Sequence, residues 1–485
     1  MNRILPIVHV FGLVALIFAF ALLVPVAAAY YFDDAAVHAY DEAFAIMFVS
    51  GLLMWLTTRH KKRELQIKDG FLLVALVWAG LPAFATLPFL IYFPDLSFTD
   101  AYFEAVSGMT TTGSTIFTGL DALPPSINLW RAELVWVGGM GLIVLAVAIL
   151  PLLGIGGRQM FKAETPGPMK DSQLTPRIAQ TAKGLWLVYA GITLACFLSY
   201  WAAGMSKFDA LVHSFTTMGL GGFSTHDASF GYFNSPLIEL VCVVFMLIAG
   251  VNFATHFLAF RNRSIRAYKH DSEAHAFWIV TLGGAVLIAA YLVWWKTYPD
   301  FITALRYSLF NTVSIATSTG YASTDYNLWP IFAPLLMLLL SCFASSSGST
   351  GGGIKMVRAM LLFKQGLREM ARLIHPNAVL PVKLQGQVIP NNIIYAVLAY
   401  LFLYLVSVVV MTLLMTASGL DFLTSFTAVV ASINNTGPGL NQVGPATTYA
   451  VLTDFQTWIC SFAMLLGRLE LFTFFVLLTR TFWRS

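Results

Sequence analysis

Long apolar stretches, broken by short basic or glycine-rich segments, run the length of the chain. A helix needs about 20 apolar residues to cross the hydrocarbon core of a bilayer. Such stretches run from Ile4 to about Tyr31 and from about Ala43 to Thr57. Others begin near Phe71, Asn128, Gly184, Pro236, Ala276, Trp329, Asn392 and Thr448. The pattern predicts ten spanning helices. The first run is longer than the apolar core of a signal peptide and has no clear cleavage signal, so it reads as a retained helix.

A second pattern lies between outward and inward runs. A segment amphipathic for about ten residues recurs four times: Tyr102 to Gly113, Leu211 to Gly222, Leu309 to Gly320 and Phe426 to Gly437. Phe103 and Phe310 stand ten before their glycines, and Val106, Val313 and Val430 stand seven before theirs. The glycines are 109, 98 and 117 residues apart. A period this long marks repetition of a whole unit, helix–short segment–helix. The units divide the chain into a two-helix region, 1–69, and four repeats, 70–160, 161–274, 275–375 and 376–485.

Ten helical residues reach about 15 Å, half the hydrocarbon thickness. Each segment must therefore dip into the membrane and return. Backbone outside a helix survives at that depth only where protein buries it or it lines a wet cavity. A single Thr-Thr-Gly would read as close helix packing. Four glycines in matched positions instead predict four turns about one axis, with positive φ letting carbonyl oxygens face a common centre. Rings of backbone carbonyls can replace the hydration shell of a cation. The candidate filter residues are Thr111, Thr112 and Gly113; Leu220, Gly221 and Gly222; Ser318, Thr319, Gly320 and Tyr321; and Asn435, Thr436 and Gly437. The short helices would end near mid-membrane, turning their partly negative C-termini toward the cavity. Asp95, Asp100, Glu104, Asp121, Asp227 and Asp325 would gather at the outer mouth and concentrate cations.

Composition narrows the class. Of the 485 residues 58% are hydrophobic and 11% charged, against about a quarter charged in soluble globular chains. That excludes an ordinary soluble enzyme, and disorder as well. The net charge of +4 gives no sign of nucleic-acid binding. Cys196, Cys242, Cys342 and Cys460 sit singly in apolar stretches and read as buried thiols. With both termini cytoplasmic, 23 Lys and Arg flank the inner ends of the spans and four the outer ends. This asymmetry orients the protein by the positive-inside rule.

These residues resemble the TrkH branch of the TrkH/Ktr/HKT superfamily of K+ transporters over essentially the whole chain. Beyond the four glycine segments the resemblance is carried by Val137 to Leu145, Ile149 to Gly157, Ser345 to Lys355 and Gly467 to Glu470. It implies an all-α polytopic membrane protein. Four parallel helix–pore-loop–helix repeats would stand in pseudo-fourfold arrangement around one pore, with two extra N-terminal helices. The bacterial inner membrane is the implied location. A homodimer surrounded by membrane lipid is implied, with a peripheral, nucleotide-binding TrkA-like regulator on the cytoplasmic side. Potassium would be the transported ion, with no organic cofactor in this chain. In the family, glycine at the filter position of every repeat accompanies K+ preference, and serine in the first repeat accompanies Na+ passage. K+ contacts then fall at Thr112, Gly113, Gly221, Gly222, Thr319, Gly320, Thr436 and Gly437.

Within the eighth apolar run, Ala344 to Gly353 is almost entirely Gly and Ser, a composition that weakens a helix by about 1 kcal/mol per glycine. It predicts a break at membrane depth. The family resemblance assigns this stretch to an intramembrane gating loop, here Ser345, Ser346, Ser347, Gly348, Gly351, Gly352 and Gly353. Arg468 lies inside the last run, where a membrane arginine is costly and usually functional. It is expected to face the pore or to hold the loop through its carbonyls. Lys355 is expected to anchor a helix end at the cytoplasmic surface, and His213 and His256 to be packed or hydrogen-bonded. The competing reading is a secondary transporter coupling another small solute to Na+ or H+. An enzyme is not indicated: neither HExxH nor GxSxG occurs.

Overall fold

In the computed structural model, residues 4–60, 65–141 and 178–484 are described. The expected motif from Ile149 to Gly157, the second half of that from Val137 to Leu145, and the basic residues Lys61, Lys62, Arg63, Arg158, Lys162, Lys170 and Arg177 lie outside them.

Helices dominate because the long apolar runs can satisfy their backbone polar groups only internally. A first pair, Ile4–Phe32 and Val37–Thr58, packs side by side. Gly12 and Gly51 make the close crossing possible, since a Cβ on Gly12 would press on Met54 and one on Gly51 on Leu16. At the end of this pair His9 Nδ1 meets Thr58 Oγ1 at 3.1 Å.

Four times thereafter a long outer helix is followed by a short helix, an irregular segment and an inner helix. The outer helices are Lys68–Tyr92, the helix Ile178–Ala202, and those at Ser272–Trp294 and Asn391–Ala417. The short helices are Phe98–Met109, Lys207–Gly219, Phe301–Ala316 and Phe422–Ile433. Each is opened by a side chain that accepts the backbone N–H three residues on: Ser97, Ser206, Asp300 and Asp421. These caps satisfy otherwise orphaned donors at four equivalent helix starts.

Inner helices depart from simple spans. The second repeat's consists of Pro236–Ala249 and Phe253–Asn262, bent by 91°. In the third, Phe332–Phe343 stops and Met356–Ile374 resumes. Asp454–Arg468 and Leu471–Leu478 meet at 112° in the fourth. The first repeat's helix, Pro125–Trp136, runs into a π-turn at Val137–Gly141. By length and hydropathy, six helices among the described residues can cross a membrane, or up to eight if each bent pair is one span. The ten runs expected from hydropathy thus include inner segments that are broken rather than continuous. A two-residue hairpin, Lys383–Leu384 with Gln387–Val388, joins the third and fourth repeats.

Candidate ion pathway

Every short helix ends in the same way. The amides of Thr112, Gly221, Thr319 and Thr436 reach back five residues, to the carbonyls of Ser107, Thr216, Ser314 and Ala431, at 2.7–3.0 Å. Those of Thr111, Leu220, Ser318 and Asn435 reach back three, at 2.9–3.2 Å. This closure requires a left-handed residue, and Thr111, Leu220, Ser318 and Asn435 all have φ between 52° and 61°. Left-handed backbone is uncommon outside glycine, so four such residues in register mark one imposed geometry. Two positions later come Gly113, Gly222, Gly320 and Gly437, with φ of 82°, 60°, 89° and 95°.

The turns close into a ring. A Cβ on Gly113 would collide with the carbonyl oxygen of Gly221, and one on Gly222 with that of Thr319. A Cβ on Gly320 would strike Thr436 O, and one on Gly437 would lie 2.7 Å from Thr112 O. Each obstructing oxygen belongs to the residue just before the next repeat's glycine. Four equivalent carbonyls, from Thr112, Gly221, Thr319 and Thr436, therefore alternate with four glycines around one centre. Two expected filter residues look different in detail. Gly437 O already accepts from Ser114 Oγ at 2.9 Å and Tyr449 Oη at 2.8 Å. Tyr321 turns its side chain into the wall, with its hydroxyl 2.5 Å from Thr216 Oγ1.

Directly beneath the turns lies the Gly/Ser segment. Gly351 packs against Thr317 O and Gly352 against Asn434 O, while Gly352 N–H donates to Ser318 Oγ at 2.7 Å. Thr350 Oγ1 donates to Met218 O at 2.9 Å. The segment also folds on itself, with Ser345 Oγ donating to Gly352 O at 2.8 Å. Its outer flank is tied to the second repeat, where Ser346 N–H donates to Gly250 O and Gly348 O accepts from Phe253 N–H, both at 3.0 Å. Ser347 N–H donates to Glu273 Oε1 at 2.7 Å, and the same oxygen takes Val357 N–H at 3.0 Å. Gly353, with φ of 79°, abuts the carbonyls of Ser341 and Cys342.

Arg468 sits at the break in the fourth inner helix. Its guanidinium donates to Gly139 O at 2.7 Å, Gly138 O at 2.5 Å, Thr350 O at 3.1 Å and Thr111 Oγ1 at 3.4 Å. It therefore joins the first inner helix, the Gly/Ser segment and the first turn. Glu470 does not pair with it but with Arg358, at 2.7 Å. Lys355, expected at a surface, is buried and donates from Nζ to Gly351 O. The reason is local: with φ of 79° it closes the loop, so its side chain folds under the chain it has just left.

Several contacts escape sequence reasoning. Glu104, expected at the mouth, is fully buried and paired with Arg131 at 2.8 Å. Arg131 also donates to Ser224 O at 3.2 Å and stacks over Phe223 with its guanidinium carbon 4.3 Å from the ring centre. The available signal was a single arginine in the helix that follows, Arg131, opposite an acid in the short helix's apolar half. His213 and His256 are buried and hydrogen-bonded as expected. Asp227 and Asp325 cap backbone turns, at Gly119 and Leu120 and at Asn327 respectively. Cys196, Cys242 and Cys460 are buried free thiols, and Cys342 is half-buried.

Known proteins share this architecture along the whole chain. The TrkH family, described as cation transport proteins, matches residues 38–483. The chain belongs to this family. The Trk system potassium uptake protein TrkH of Salmonella typhimurium is 44% identical over 480 residues, covering 99% of both chains. The Trk system potassium uptake protein TrkG of Escherichia coli is 37% identical over 480 residues, covering 99% of this chain and 98% of its own. Among solved structures, the potassium transporter TrkH from Vibrio parahaemolyticus superposes with a TM-score of 0.89 at 43% identity, covering 99% of both chains. The family is one of transport proteins rather than enzymes, and its helical membrane fold is the fold of this chain.

Proposed function

We propose that the protein takes up K+ across the bacterial inner membrane through a channel-like pore. The observation that carries this reading is the cyclic closure of four equivalent carbonyls against four glycines. Such a ring offers oxygen ligands without a fixed charge, which suits a weakly held, rapidly exchanging monovalent cation. The four short helices direct their C-terminal ends toward it, adding partial negative charge. Membership of the TrkH family, and relatives named for potassium uptake, support the choice of ion.

The filter is formed by the turns at Gly113, Gly222, Gly320 and Gly437. Ser345 to Gly353 is the gate, latched from below by Arg468. Ions pass when this segment withdraws from the carbonyls of Met218, Thr317 and Asn434. Each repeat acts as a pore quadrant, with the first two helices outside the ring. Both termini face the cytoplasm, where a nucleotide-binding TrkA-like partner sets the gate of a homodimer. The basic helix Met356–Ile374, continuous with the gate, is a suitable lever for that partner.

The deciding experiment is rubidium-86 uptake by liposomes holding the purified protein, competed with K+, Na+ and Li+. Uptake suppressed by K+ at far lower concentration than by Li+ is expected. Absence of uptake, or equal competition by Li+, defeats the reading.

A further inference from the structure

Each filter turn is backed by one buried side chain from its own short helix, and the four side chains are chemically unlike. In the first repeat Glu104, nine residues before Gly113, accepts from Thr115 Oγ1 and from Ile116 N–H, each at 3.0 Å. His213, nine before Gly222, meets Ser224 Oγ through Nε2 at 2.9 Å. Its Nδ1 faces Asp209 O at 2.8 Å; a carbonyl can only accept, so the proton sits on Nδ1 and Ser224 donates. Asn311, nine before Gly320, accepts Ser323 N–H at 3.2 Å and donates to Ser323 Oγ at 3.0 Å. In the fourth repeat that position is Ala428, and the residue before it substitutes. Thr427 Oγ1 accepts Leu440 N–H at 2.9 Å and donates to Leu423 O at 2.8 Å.

The partners stand two or three residues after each glycine. Every filter turn is thus held on both sides of its glycine: by its amide on the helix end before it, and by this strut after it, with further bonds to Tyr321 O in the third turn and Gly437 O in the fourth. Loosening either hold gives the carbonyls between them room to move. Selection by a carbonyl ring depends on the number and placement of its oxygens, so strut strength bears on ion choice. Strength is graded around the ring. Glu104 forms charge-assisted bonds, roughly twice as strong as neutral ones, and through Arg131 to Ser224 O it braces the second turn as well. Asn311 supplies two neutral bonds, and His213 and Thr427 one neutral acceptor each.

We propose that Glu104, His213, Asn311 and Thr427 are positioning residues for ion selection, holding the four turns in register from behind without touching the ion. This rests on the conduction reading above.

The test uses the full chain in liposomes and reads half-inhibition of rubidium-86 uptake by Na+ relative to K+. Thr427→Val removes the hydroxyl at constant shape, and Thr427→Ser restores it. Asn311→Leu and Asn311→Asp form a second pair, the protonated aspartate keeping a donor and an acceptor. The Val and Leu variants are expected to narrow the K+-over-Na+ ratio at least threefold while still taking up rubidium. Ser and Asp variants should hold the wild-type ratio. Ratios unchanged in Val and Leu variants, or shifted equally in Ser and Asp, overturn the proposal. Should one pair not yield a folded, monodisperse protein, the other decides by the same criterion. Absence of wild-type uptake defeats the conduction reading instead, so the two failures are distinct.

Discussion

Arg468 donates to the carbonyl of Thr350 at 3.1 Å, joining the break in the last inner helix to the segment beneath the four glycine turns. A guanidinium at membrane depth is stable only with its donors satisfied, and here carbonyls satisfy it. Removing it frees Gly138 O, Gly139 O and Thr350 O together. Arg468→Ala should therefore raise rubidium-86 flux several-fold in the absence of any cytoplasmic partner, and so should deletion of Ser345 to Gly348. Arg468→Lys, a compact point charge without the planar fork, should fall between. Unchanged flux in the alanine variant would remove the latch from the mechanism.

Glu104 and Arg131 make a different kind of demand. Both are sealed from solvent, and removal of one partner from a buried pair costs about 3–5 kcal/mol because the other charge is stranded. Arg131→Met should lower the melting temperature in detergent sharply. The double variant Glu104→Gln/Arg131→Met should recover part of that loss, since no charge remains buried. A double variant as unstable as the sum of the single changes would contradict the pairing.

Much of this was legible in sequence, for reasons that also explain the gaps. The four turns could be found because glycine is required at each for two independent reasons: a positive φ, and a neighbouring carbonyl where a Cβ would stand. Such double constraints leave a fixed spacing to read. The Gly/Ser break was legible by composition alone. Gly250 to Asn252 and Leu469 to Glu470 were not, because bending there uses two or three ordinary residues within an apolar run. Glu104 and Lys355 were misplaced for different reasons: Glu104 looks solvated until tertiary folding brings Arg131 beside it, whereas the left-handed turn at Lys355 folds its side chain back onto Gly351 O four residues before it.

Like Gly222 and Gly320, Gly113 stands where a Cβ would collide with a carbonyl oxygen of the next repeat's turn. A side chain there meets Gly221 O, a carbonyl of the second repeat's turn, and strains a φ of 82°. Gly113→Ser is therefore expected to displace one carbonyl of the ring and increase Na+ permeation relative to K+. The serine hydroxyl also offers an oxygen that can substitute for the displaced one, so conduction should survive. Reversal potentials in planar bilayers under opposed K+ and Na+ gradients measure this directly. An unchanged permeability ratio would take Gly113 out of the filter.

His226 forms a latch between the first two repeats that lies outside the membrane-spanning helices. Its Nδ1 contacts Asp121, its Nε2 lies 3.3 Å from Asp209, and its ring stacks on Tyr232 at 3.5 Å. Asp121 additionally takes Asp227 N–H at 3.2 Å, and Asp209 takes Thr225 Oγ1 at 2.7 Å. Burial works against the imidazolium, but Asp209 and Asp121 outweigh it and raise the His226 pKa above its ordinary 6.5. Burial likewise opposes ionisation of both carboxyls, yet hydrogen bonds from His226 and neighbouring groups draw Asp121 and Asp209 below 3.8. A raised histidine contributes stability that is complete below its unfolded value and lost as pH climbs through the folded one. Depressed carboxylates contribute above their unfolded value and lose it as pH falls through the folded one. The latch is consequently complete between 3.8 and 6.5, persists somewhat beyond 6.5, and fades at higher pH. Thermal unfolding of wild type and His226→Gln should differ by a constant amount across that window and converge in alkaline buffer. Curves that stay parallel up to alkaline pH would mean that His226 holds the two loops by packing on Tyr232 rather than by charge.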